Sequence, residues 1–504
     1  MRIEIEAAQA QAVVLTLDTP RALLRTMDSM NATTDEWKAA TRRLAAGEAR
    51  LVDLWGDDGA VCLALAEPDI RVLRLACPEG GFPSLGAVCA PAIRLERSLA
   101  DLHGLRPEGA RDGRPWLDHG RWEIEAPLGR AEARAAPQPP YEFRTAEGQA
   151  LHQIPVGPVH AGIIEPGHFR FHASGETIVR LEERFGFTHK GVEGLMRGAS
   201  IEAGARLVGR ISGDSTVAYA FAYARAVEAA LGVEPPARAV WLRALMAEIE
   251  RISNHLGDFG AICNDAAFAL MHAHTGVWRE RTLRAAEAAF GHRLMMDAIV
   301  PGGVAVDLSA QAPLRAHVAA LRPALKRLTE LYDNTASLID RTVGAGTLSR
   351  ELVDLWGAGG YIGRASGRDF DARRDHAYAP YDRLSFKIPV REKGDVDARV
   401  WLRILEIEQS LGLVEQLLDG LPEGPLRSEI APARGEGFAL VEGFRGDVFV
   451  HVRIGADGRL ASVRPRDPSW PQWPLLEAAI EGNIVADFPL CNKSFNGSYS
   501  GVDL

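Results

Sequence analysis

The sequence predicts an α+β protein in which a small N-terminal α+β domain precedes a mainly helical bundle domain with peripheral β-hairpins. The chain has 504 residues, which is too many for one ordinary hydrophobic core. Short apolar runs separated by glycine-rich turns occupy its first part, and apolar residues at three- and four-residue spacing dominate the later part. We therefore place the first domain at 1–125, a linker at 126–150 and the second domain at 151–504.

The overall composition is that of an ordinary globular protein and excludes some function classes. The net charge is -10 and the pI is near 5.8, which argues against nucleic acid as the main partner, because phosphate binding needs a concentrated basic surface. The five cysteines form no Cys-x-x-Cys pair. Their spacing therefore predicts free thiols, and it provides neither a disulfide framework nor an iron–sulfur or zinc site.

The N-terminus, MRIEIEAAQAQAVV, lacks the basic and apolar regions of a signal peptide. Nowhere in the chain do 18 apolar residues follow one another, so no transmembrane helix is predicted. We expect any association with a membrane to come through partner subunits.

The first domain reads as a strand meander with a helix packed on it. A polar helix is predicted around 35–46, and apolar strands follow at 51–55, 61–66 and 70–76 between turn signals. The charged segment Glu96–Gly104 reads as a helical turn that ends at glycine, and by itself it indicates a solvated helix end.

A proline-rich segment separates this domain from the next one. Pro137, Pro139 and Pro140 lie close together in it, which is typical of a linker. The loop that follows is irregular, and the alternation of apolar residues at 169–171 and 178–179 predicts a two-stranded hairpin.

The helical part begins after Glu193 and contains one long polar interruption. Glycine and charged residues at 361–376 predict a loop, and long loops inside bundles are usually functional. Strands are predicted at 438–441, 448–454 and 460–463, and a short helix at 471–481. Helices are predicted at 216–231, 236–260, 277–298, 311–340 and 396–419.

Several short motifs occur in a fixed order along the chain. They are Gly157-Pro-Val-His160, Glu165-Pro-Gly-His-Phe-Arg170, His189-Lys-Gly-Val-Glu193, Arg210-Ile-Ser-Gly213, Arg364-Ala-Ser-Gly367 and the tail 495–504. Their order resembles the large subunit of group 4 membrane-bound, formate-hydrogenlyase-type nickel–iron hydrogenases and the 49-kDa subunit of respiratory complex I. The segment Glu96–Gly104 is similar to the signature of the complex I 30-kDa subunit, so the resemblance covers essentially the whole chain.

The resemblance also implies where a metal centre would lie and that this chain lacks its ligands. In the family, four cysteines hold nickel and iron, and soft thiolates suit such a centre. The matching positions here are Ser212, Ser215, Ser498 and Gly501. We expect no metal at these positions, and the chain stops at Leu504, about where hydrogenase large subunits are cleaved after metal insertion.

Other residues match pocket positions of the family and are the candidate catalytic groups. Glu193 matches a carboxylate that passes protons to the metal site, although an ion pair with Lys190 or Arg197 is the alternative interpretation. Arg210 and Arg364 match pocket-lining arginines, and surface solvation is the alternative for each.

A second group of candidates concerns binding of a quinone-like molecule. His168 lies on the hairpin that carries a quinone-binding histidine in complex I, and it can donate both a hydrogen bond and a proton. His160 is a further candidate, and for both histidines a structural loop role is the alternative. Asp503 keeps a family-like place in the tail.

One part of the complex I quinone site is missing from the sequence. The tyrosine of that site falls on Gly213, and Tyr219 can replace it only if it faces the pocket. Cys491 is interpreted as an apolar filler. His272 and His274 point in different directions on a helix and are interpreted as structural.

Three functional hypotheses follow from the resemblance. The first is a subunit of an oxidoreductase complex related to NADH dehydrogenase and hydrogenase, which lacks the metal centre and either binds quinone or another small oxidant or couples electron transfer to ion transport. The second is an inert scaffold subunit, and the third, an active nickel–iron hydrogenase, contradicts the ligand chemistry. The expected partners are a small subunit that carries the iron–sulfur cluster and antiporter-like membrane subunits, which would hold the chain on the inner face of the cell membrane.

Overall fold

The computed structural model describes residues 30–148, 150–160 and 164–504. The predicted α+β class is confirmed, because helices and several small sheets are both present. The N-terminal stretch that we used to exclude a signal peptide lies outside the described residues, as do parts of the predicted first domain and of the loop after His160. None of the helices in the described ranges combines the length and the apolar character needed to cross a membrane.

The N-terminal elements form a four-stranded sheet that helices cover. The capping box between Thr33 and Glu36 begins the first helix, where each residue's side chain accepts a hydrogen bond from the other's backbone N–H. The strand order is β1-β4-β3-β2, in which β1 is parallel to β4 and the other pairs are antiparallel. The elements are β1 (Met30–Asn31), α1 (Thr34–Ala45), β2 (Arg50–Asp57), β3 (Ala60–Glu67), β4 (Asp69–Ala76), β5 (Gly81–Pro83), α2 (Ala92–His103) and β6 (Arg106–Glu108).

The next segment contains more strand than the sequence predicts. A three-stranded antiparallel sheet replaces the predicted two-stranded hairpin, because β9 pairs with β10 along its whole length. The predicted linker contains one short strand, which pairs with another just before it, and Tyr141 within the linker is hydrogen-bonded to Arg97 and Glu182. The elements are β7 (Ile124–Glu125), β8 (Glu132–Ala133), β9 (Leu151–Val156), β10 (His168–Ser174) and β11 (Thr177–Arg184).

Long helices form the centre of the molecule. The predicted helices are confirmed, although the one predicted at 277–298 begins and ends about eight residues earlier. The helix predicted at 311–340 is divided into two, because the first ends at Asp333 and the second begins at Ala336. The predicted loop at 361–376 contains two short helices. The helices are α3 (Val192–Met196), α4 (Ile201–Val208), α5 (Thr216–Leu231), α6 (Ala237–Asp265), α7 (Ala269–Phe290), α8 (Ala312–Asp333), α9 (Ala336–Thr342), α10 (Arg350–Trp356), α11 (Gly360–Ala365), α12 (Ala372–Asp375) and α13 (Val396–Asp419), with a strand pair β12 (Ile299–Val300) and β13 (Gly303–Val304) after α7.

The last part of the chain returns to the bundle as a three-stranded antiparallel sheet. Alanines on α5 let β14 approach closely, and a Cβ added at Gly435 or Gly437 would overlap the backbone of Ala230. These glycines are therefore required by packing. The elements are β14 (Gly435–Glu442), β15 (Asp447–Ile454), β16 (Leu460–Arg466), α14 (Ser469–Ile480) and α15 (Phe488–Phe495), and a 3₁₀ turn at Ser500–Val502 follows.

Candidate functional site

A pocket of about 270 Å³ lies where the turn before α5 meets the tail after α15. The turn ends α4 and begins α5, so its backbone is fixed on both sides by buried helices. Two of the four positions that we assigned to lost metal ligands, Ser212 and Ser498, line the pocket, although they are 286 residues apart in sequence. The full lining consists of Ile164, Glu165, Ser212, Gly213, Asp214, Arg445, Asn492, Lys493, Asn496, Gly497, Ser498 and Tyr499.

A row of hydrogen bonds joins the four positions or their immediate neighbours. The backbone N–H of Gly501 donates to Ser498 Oγ at 3.0 Å, and Ser498 Oγ donates to Ser212 Oγ at 3.0 Å. Ser212 Oγ in turn donates to Asp214 Oδ1 at 2.9 Å. Ser215 Oγ donates to the same oxygen at 3.3 Å. Each serine proton therefore has an acceptor within the row, which ends on the carboxylate of Asp214.

Asp214 is held by an arginine that the sequence analysis did not single out. The two terminal nitrogens of Arg445 donate to the two carboxylate oxygens at 2.6 Å each, and Arg445 also donates to Ser215 Oγ at 3.1 Å. Burial alone would raise the pKa of the Asp214 carboxyl, but the Arg445 guanidinium outweighs this effect and lowers the pKa below its ordinary value. The site therefore contains a fixed, ionised Asp–Arg pair.

The side chain of Asp467 occupies the space beside Gly501, the position of the fourth lost ligand. A Cβ built on Gly501 would lie 2.5 Å from the carboxylate carbon of Asp467, so no side chain fits there unless Asp467 moves. Asp467 accepts hydrogen bonds from the hydroxyl of Tyr219 and from the backbone N–H of Ser469. Tyr219 is fully buried and does not line the described wall of the pocket.

The donors at these positions do not fit a nickel–iron centre. Three hydroxyl groups with committed protons and one glycine replace the soft thiolates that such a centre needs. Within the described ranges, no cluster of three or more histidine, cysteine, aspartate and glutamate side chains is arranged to hold a metal ion.

Glu193 is buried at the start of α3, outside the pocket. Arg464 donates to its Oε1 at 2.7 Å, and the same guanidinium donates to both oxygens of Asp53. Burial raises the pKa of Glu193, and the Arg464 charge opposes part of this rise. The ion pair that we considered with Lys190 or Arg197 is therefore replaced by one with Arg464.

The two predicted pocket arginines lie in different environments. Arg210 is exposed and forms an ion pair with Asp297 at the surface. Arg364 is fully buried and donates to Glu406, Glu442 and Asp371, which form a charged cluster among the helices. Neither lines the pocket described above.

The two predicted histidines lie at the start of β10 and in the loop before it. His168 contacts the carbonyl oxygen of Gly157 through Nδ1 at 3.3 Å, and burial lowers its pKa. His160 stacks on Phe169 and contacts the edge of Tyr499. Its Nε2 is buried and has no hydrogen-bond partner among the described residues.

Asp503 fixes a loop. Its carboxylate accepts hydrogen bonds from the backbone N–H groups of Gly186 and Thr188 and from the Thr188 hydroxyl. Burial raises the pKa of Asp503 to about 6, although the bonds from Thr188 and Gly186 oppose the rise. Cys491 is buried, and His272 and His274 lie exposed on α7.

Several pocket residues were missed by sequence reasoning. Asp214 stands inside the turn that we singled out and could have been found there. Arg445 lies between β14 and β15, and only its position in the glycine-flanked turn Gly443-Phe-Arg-Gly446 distinguishes it in sequence. No sequence motif marks Lys493, Asn492 or Asn496 as pocket residues. They face the pocket only because α15 packs against it in the folded protein.

A second pocket of about 270 Å³ lies on the other side of the same turn. It shares Gly213 and Asp214 with the first pocket. A Cβ added at Gly213 would have no described neighbouring atom within 4 Å, so this position is open. The remaining lining residues are Glu250, Ser253, Asn254, Arg279, Leu283, Arg293, Leu294 and Met295.

Comparisons with known proteins agree with the resemblance. The family described as "Respiratory-chain NADH dehydrogenase, 49 Kd subunit" matches residues 267–432. Formate hydrogenlyase subunit 5 of Escherichia coli (strain K12) is 31% identical over 84% of this chain and 77% of its own length. The NADH-quinone oxidoreductase C/D protein of Phocaeicola vulgatus is 31% identical over 66% of each chain.

A solved structure has the same fold. It is a chain of the membrane-bound sulfane sulfur reductase, described as an archaeal respiratory membrane complex. The match has a TM-score of 0.67 and 28% identity, and it covers 71% of this chain and all of the other. The relatives are thus subunits of multi-subunit membrane respiratory complexes.

Proposed function

Because the chain belongs to the family that unites the 49-kDa subunit of respiratory-chain NADH dehydrogenase with the large subunits of membrane-bound hydrogenases, we propose that it is the large-subunit component of a membrane-associated redox complex that works without a nickel–iron centre. In this proposal the pocket between the α5 turn and the tail binds a small oxidised molecule, for which quinone is one candidate. The hydrogen-bond row from Gly501 to Asp214 carries the proposal. It satisfies every hydroxyl at the four positions internally, so that no metal is needed to complete them.

The printed names of the relatives support a pocket with a variable occupant. They include a formate hydrogenlyase, a quinone oxidoreductase and a sulfane sulfur reductase, so that one fold serves different small molecules. In the proposed complex, a neighbouring small subunit carries the iron–sulfur cluster that exchanges electrons with the pocket. Antiporter-like membrane subunits anchor the assembly, and this chain associates with the inner face of the membrane through them.

The proton chemistry of the proposed complex involves Glu193. Its carboxyl is buried with a raised pKa, which suits a group that takes up and releases a proton. The Arg464 guanidinium fixes the orientation of the carboxyl, since it is itself held by Asp53. His168 and His160 remain candidates for contact with a bound headgroup on the side of the pocket near Tyr499.

The proposal is tested with the assembled complex purified from membranes. Ser498→Ala removes the central hydroxyl of the row at little steric cost, and we expect turnover with the physiological acceptor to fall about tenfold, the equivalent of one hydrogen bond. Ser309→Ala, at an exposed position, is the matched control. Metal analysis of the same preparation should find no nickel bound by this chain.

Two results would contradict the proposal in different ways. Stoichiometric nickel in this subunit would show that the family's metal centre is retained. Unchanged turnover of Ser498→Ala, Glu193→Ala and His168→Ala in fully assembled complex would favour a scaffold subunit.

A further inference from the structure

The two pockets beside the α5 turn adjoin one another at Gly213 and Asp214, and we refer to them together as the cleft. Each has a volume of about 270 Å³, and Gly213 and Asp214 belong to both walls. No described atom lies within 4 Å of the place where a side chain at Gly213 would begin. The absence of a side chain at this residue therefore leaves the space between the pockets open.

Each half of the cleft contains one cation that has no partner in the described part of the chain. Lys493 lines the first half and Arg279 lines the second. Among the described residues, neither side chain makes a hydrogen bond or an ion pair. The stem of Arg279 passes close to Gly257, because its Cδ lies 3.0 Å from the place where a side chain at Gly257 would begin, so α6 and α7 are in close contact there.

The other charged groups of the cleft are already neutralised or engaged. Arg445 is paired with Asp214 and Arg293 with Glu280. Glu165 accepts hydrogen bonds from the backbone and the hydroxyl of Ser500.

Two further carboxyls affect the balance of charge around Lys493 and Arg279. Glu250 accepts hydrogen bonds from the N–H groups of Val217 and Ala218, and burial raises its pKa to about 8. Burial also raises the pKa of Asp265, and the charge of Lys493 opposes this rise. Lys493 and Arg279 therefore remain as two cations without a hydrogen-bond or ion-pair partner among the described residues, and the Glu165 carboxylate lines the same half as Lys493.

The first half of the cleft has the more polar lining, and the second half has a mainly apolar one. The first half presents hydroxyl and amide groups from Ser212, Ser498, Asn492 and Asn496. A quinone ring needs apolar or aromatic faces and its tail needs an apolar channel. Ile164 and Tyr499 are the large apolar side chains of the first half, and Leu283, Leu294 and Met295 contribute those of the second.

We propose that this cleft binds a small dianion that carries a carboxylate or another oxoanion group at each end, with one end at Lys493 and the other at Arg279. The inference rests on the proposed function in that it names the class of molecule that the same pocket takes. Arg279 offers a planar fork of donors to one anionic group, and Lys493 offers a point charge to the other. The hydroxyl row and the amides contact the middle of the molecule.

The test measures binding to the assembled complex by calorimetry, with fumarate and succinate as dianionic probes, butyrate as a monoanion and ubiquinone-1 as a neutral quinone. We expect the dianions to bind at least tenfold more tightly than butyrate. Lys493→Gln and Arg279→Gln should each weaken dianion binding about tenfold. The matched controls, Lys326→Gln and Arg327→Gln on the exposed face of α8, should leave it unchanged.

The outcomes separate this inference from the proposed function. Dianion binding that is equal in the cleft variants and the controls, or absent altogether, overturns the inference. If ubiquinone-1 binds instead and Ser498→Ala weakens it, the pocket proposal stands and the dianion is wrong. If no probe binds and Ser498→Ala also leaves turnover unchanged, both proposals fail.

Discussion

The carboxylates of Asp214 and Glu250 flank the beginning of α5, and their environments shift their pKa values in opposite directions. Asp214 is held in its ionised form by the bidentate bond from Arg445. Glu250 accepts bonds from backbone N–H groups alone within the described part of the chain, and burial raises its pKa to about 8. Asp214 is therefore the ionised group of this turn, and Glu250 is the group beside it that can exchange a proton.

The Glu250 carboxyl makes the stability of the protein depend on pH in a defined window. Its pKa rises from 4.5 to about 8 on folding, so between these values the folded state keeps a proton that the unfolded state has lost. The free energy of unfolding therefore decreases as the pH rises through this window, by up to about 1.4 kcal/mol per pH unit for one proton. Glu250→Gln cannot ionise, and urea denaturation from pH 5 to pH 8 should show a flatter dependence for this variant.

Glu234→Gln is the control for this experiment, because it removes an exposed carboxylate from the turn after α5. It should leave the pH dependence as in the wild-type protein. A Glu250→Gln curve parallel to the wild-type curve would show that Glu250 is ionised throughout this range.

The sequence could predict that Ser212 and Ser498 meet, because the resemblance supplied their shared place in the family. It could not predict which side chain pairs with Asp214 or which one occupies the space beside Gly501. Arg445 reaches Asp214 from a turn 231 residues later in the chain, and Asp467 fills the space beside Gly501 from the end of β16. Such contacts depend on tertiary packing, which periodicity and local motifs do not encode.

At the scale of elements, β2 of the N-terminal sheet is connected to Glu193 through β16. Asp53 on β2 is fully buried and accepts two bonds from Arg464 on β16, and Arg464 binds Glu193 on α3. One guanidinium thus bridges two buried carboxylates from different parts of the chain. The N-terminal sheet therefore contributes to the electrostatic environment of the proposed proton carrier.

Removal of Asp53 should strongly destabilise the protein. Asp53→Ala leaves Arg464 with one carboxylate partner instead of two, and loss of one partner from a buried ion pair costs about 3–5 kcal/mol. The free energy of unfolding, measured by urea denaturation, should fall by this order. Asp69→Ala, at an exposed position on strand β4 of the same sheet, should change it by less than about 0.5 kcal/mol.

A small effect of Asp53→Ala would contradict the bridging role of Arg464. A double variant with Glu193→Gln separates the two bonds, because coupled residues give non-additive changes in the free energy of unfolding. Additive changes would indicate that Asp53 and Glu193 act independently.

Helices were predicted correctly where apolar residues repeat regularly along the sequence. The start of α7 and strand β9 were not, because exposed histidines and a proline obscure the pattern there. The central helices α5, α6 and α13 were predicted within a few residues because their apolar positions repeat regularly. The start of α7 was predicted too late, since exposed histidines occupy its first two turns. Strand β9 was missed because it contains Pro155, yet it is an edge strand, where proline is tolerated.

At the scale of the whole molecule, the C-terminal tail joins regions that are far apart in sequence. The indole N–H of Trp116 donates to the carbonyl oxygen of Val502 at 3.0 Å. Asp503, the next residue, binds the loop at Gly186 and Thr188. The tail therefore connects the segment after α2, the loop after β11 and the wall of the pocket that contains Ser498.

This arrangement predicts that a change at Asp503 affects all three regions together. Asp503→Ala leaves the donors on Gly186 and Thr188 without their acceptor, and each buried donor left unsatisfied costs about 1–3 kcal/mol. We expect faster amide hydrogen exchange at 186–189 and, through the displaced tail, also at 116–118. Asp503→Asn keeps one acceptor oxygen and should give a smaller change in both regions. Faster exchange confined to 186–189 would show that the tail holds the loop without coupling it to the N-terminal part, and the pocket would then depend on α15 and the α5 turn alone.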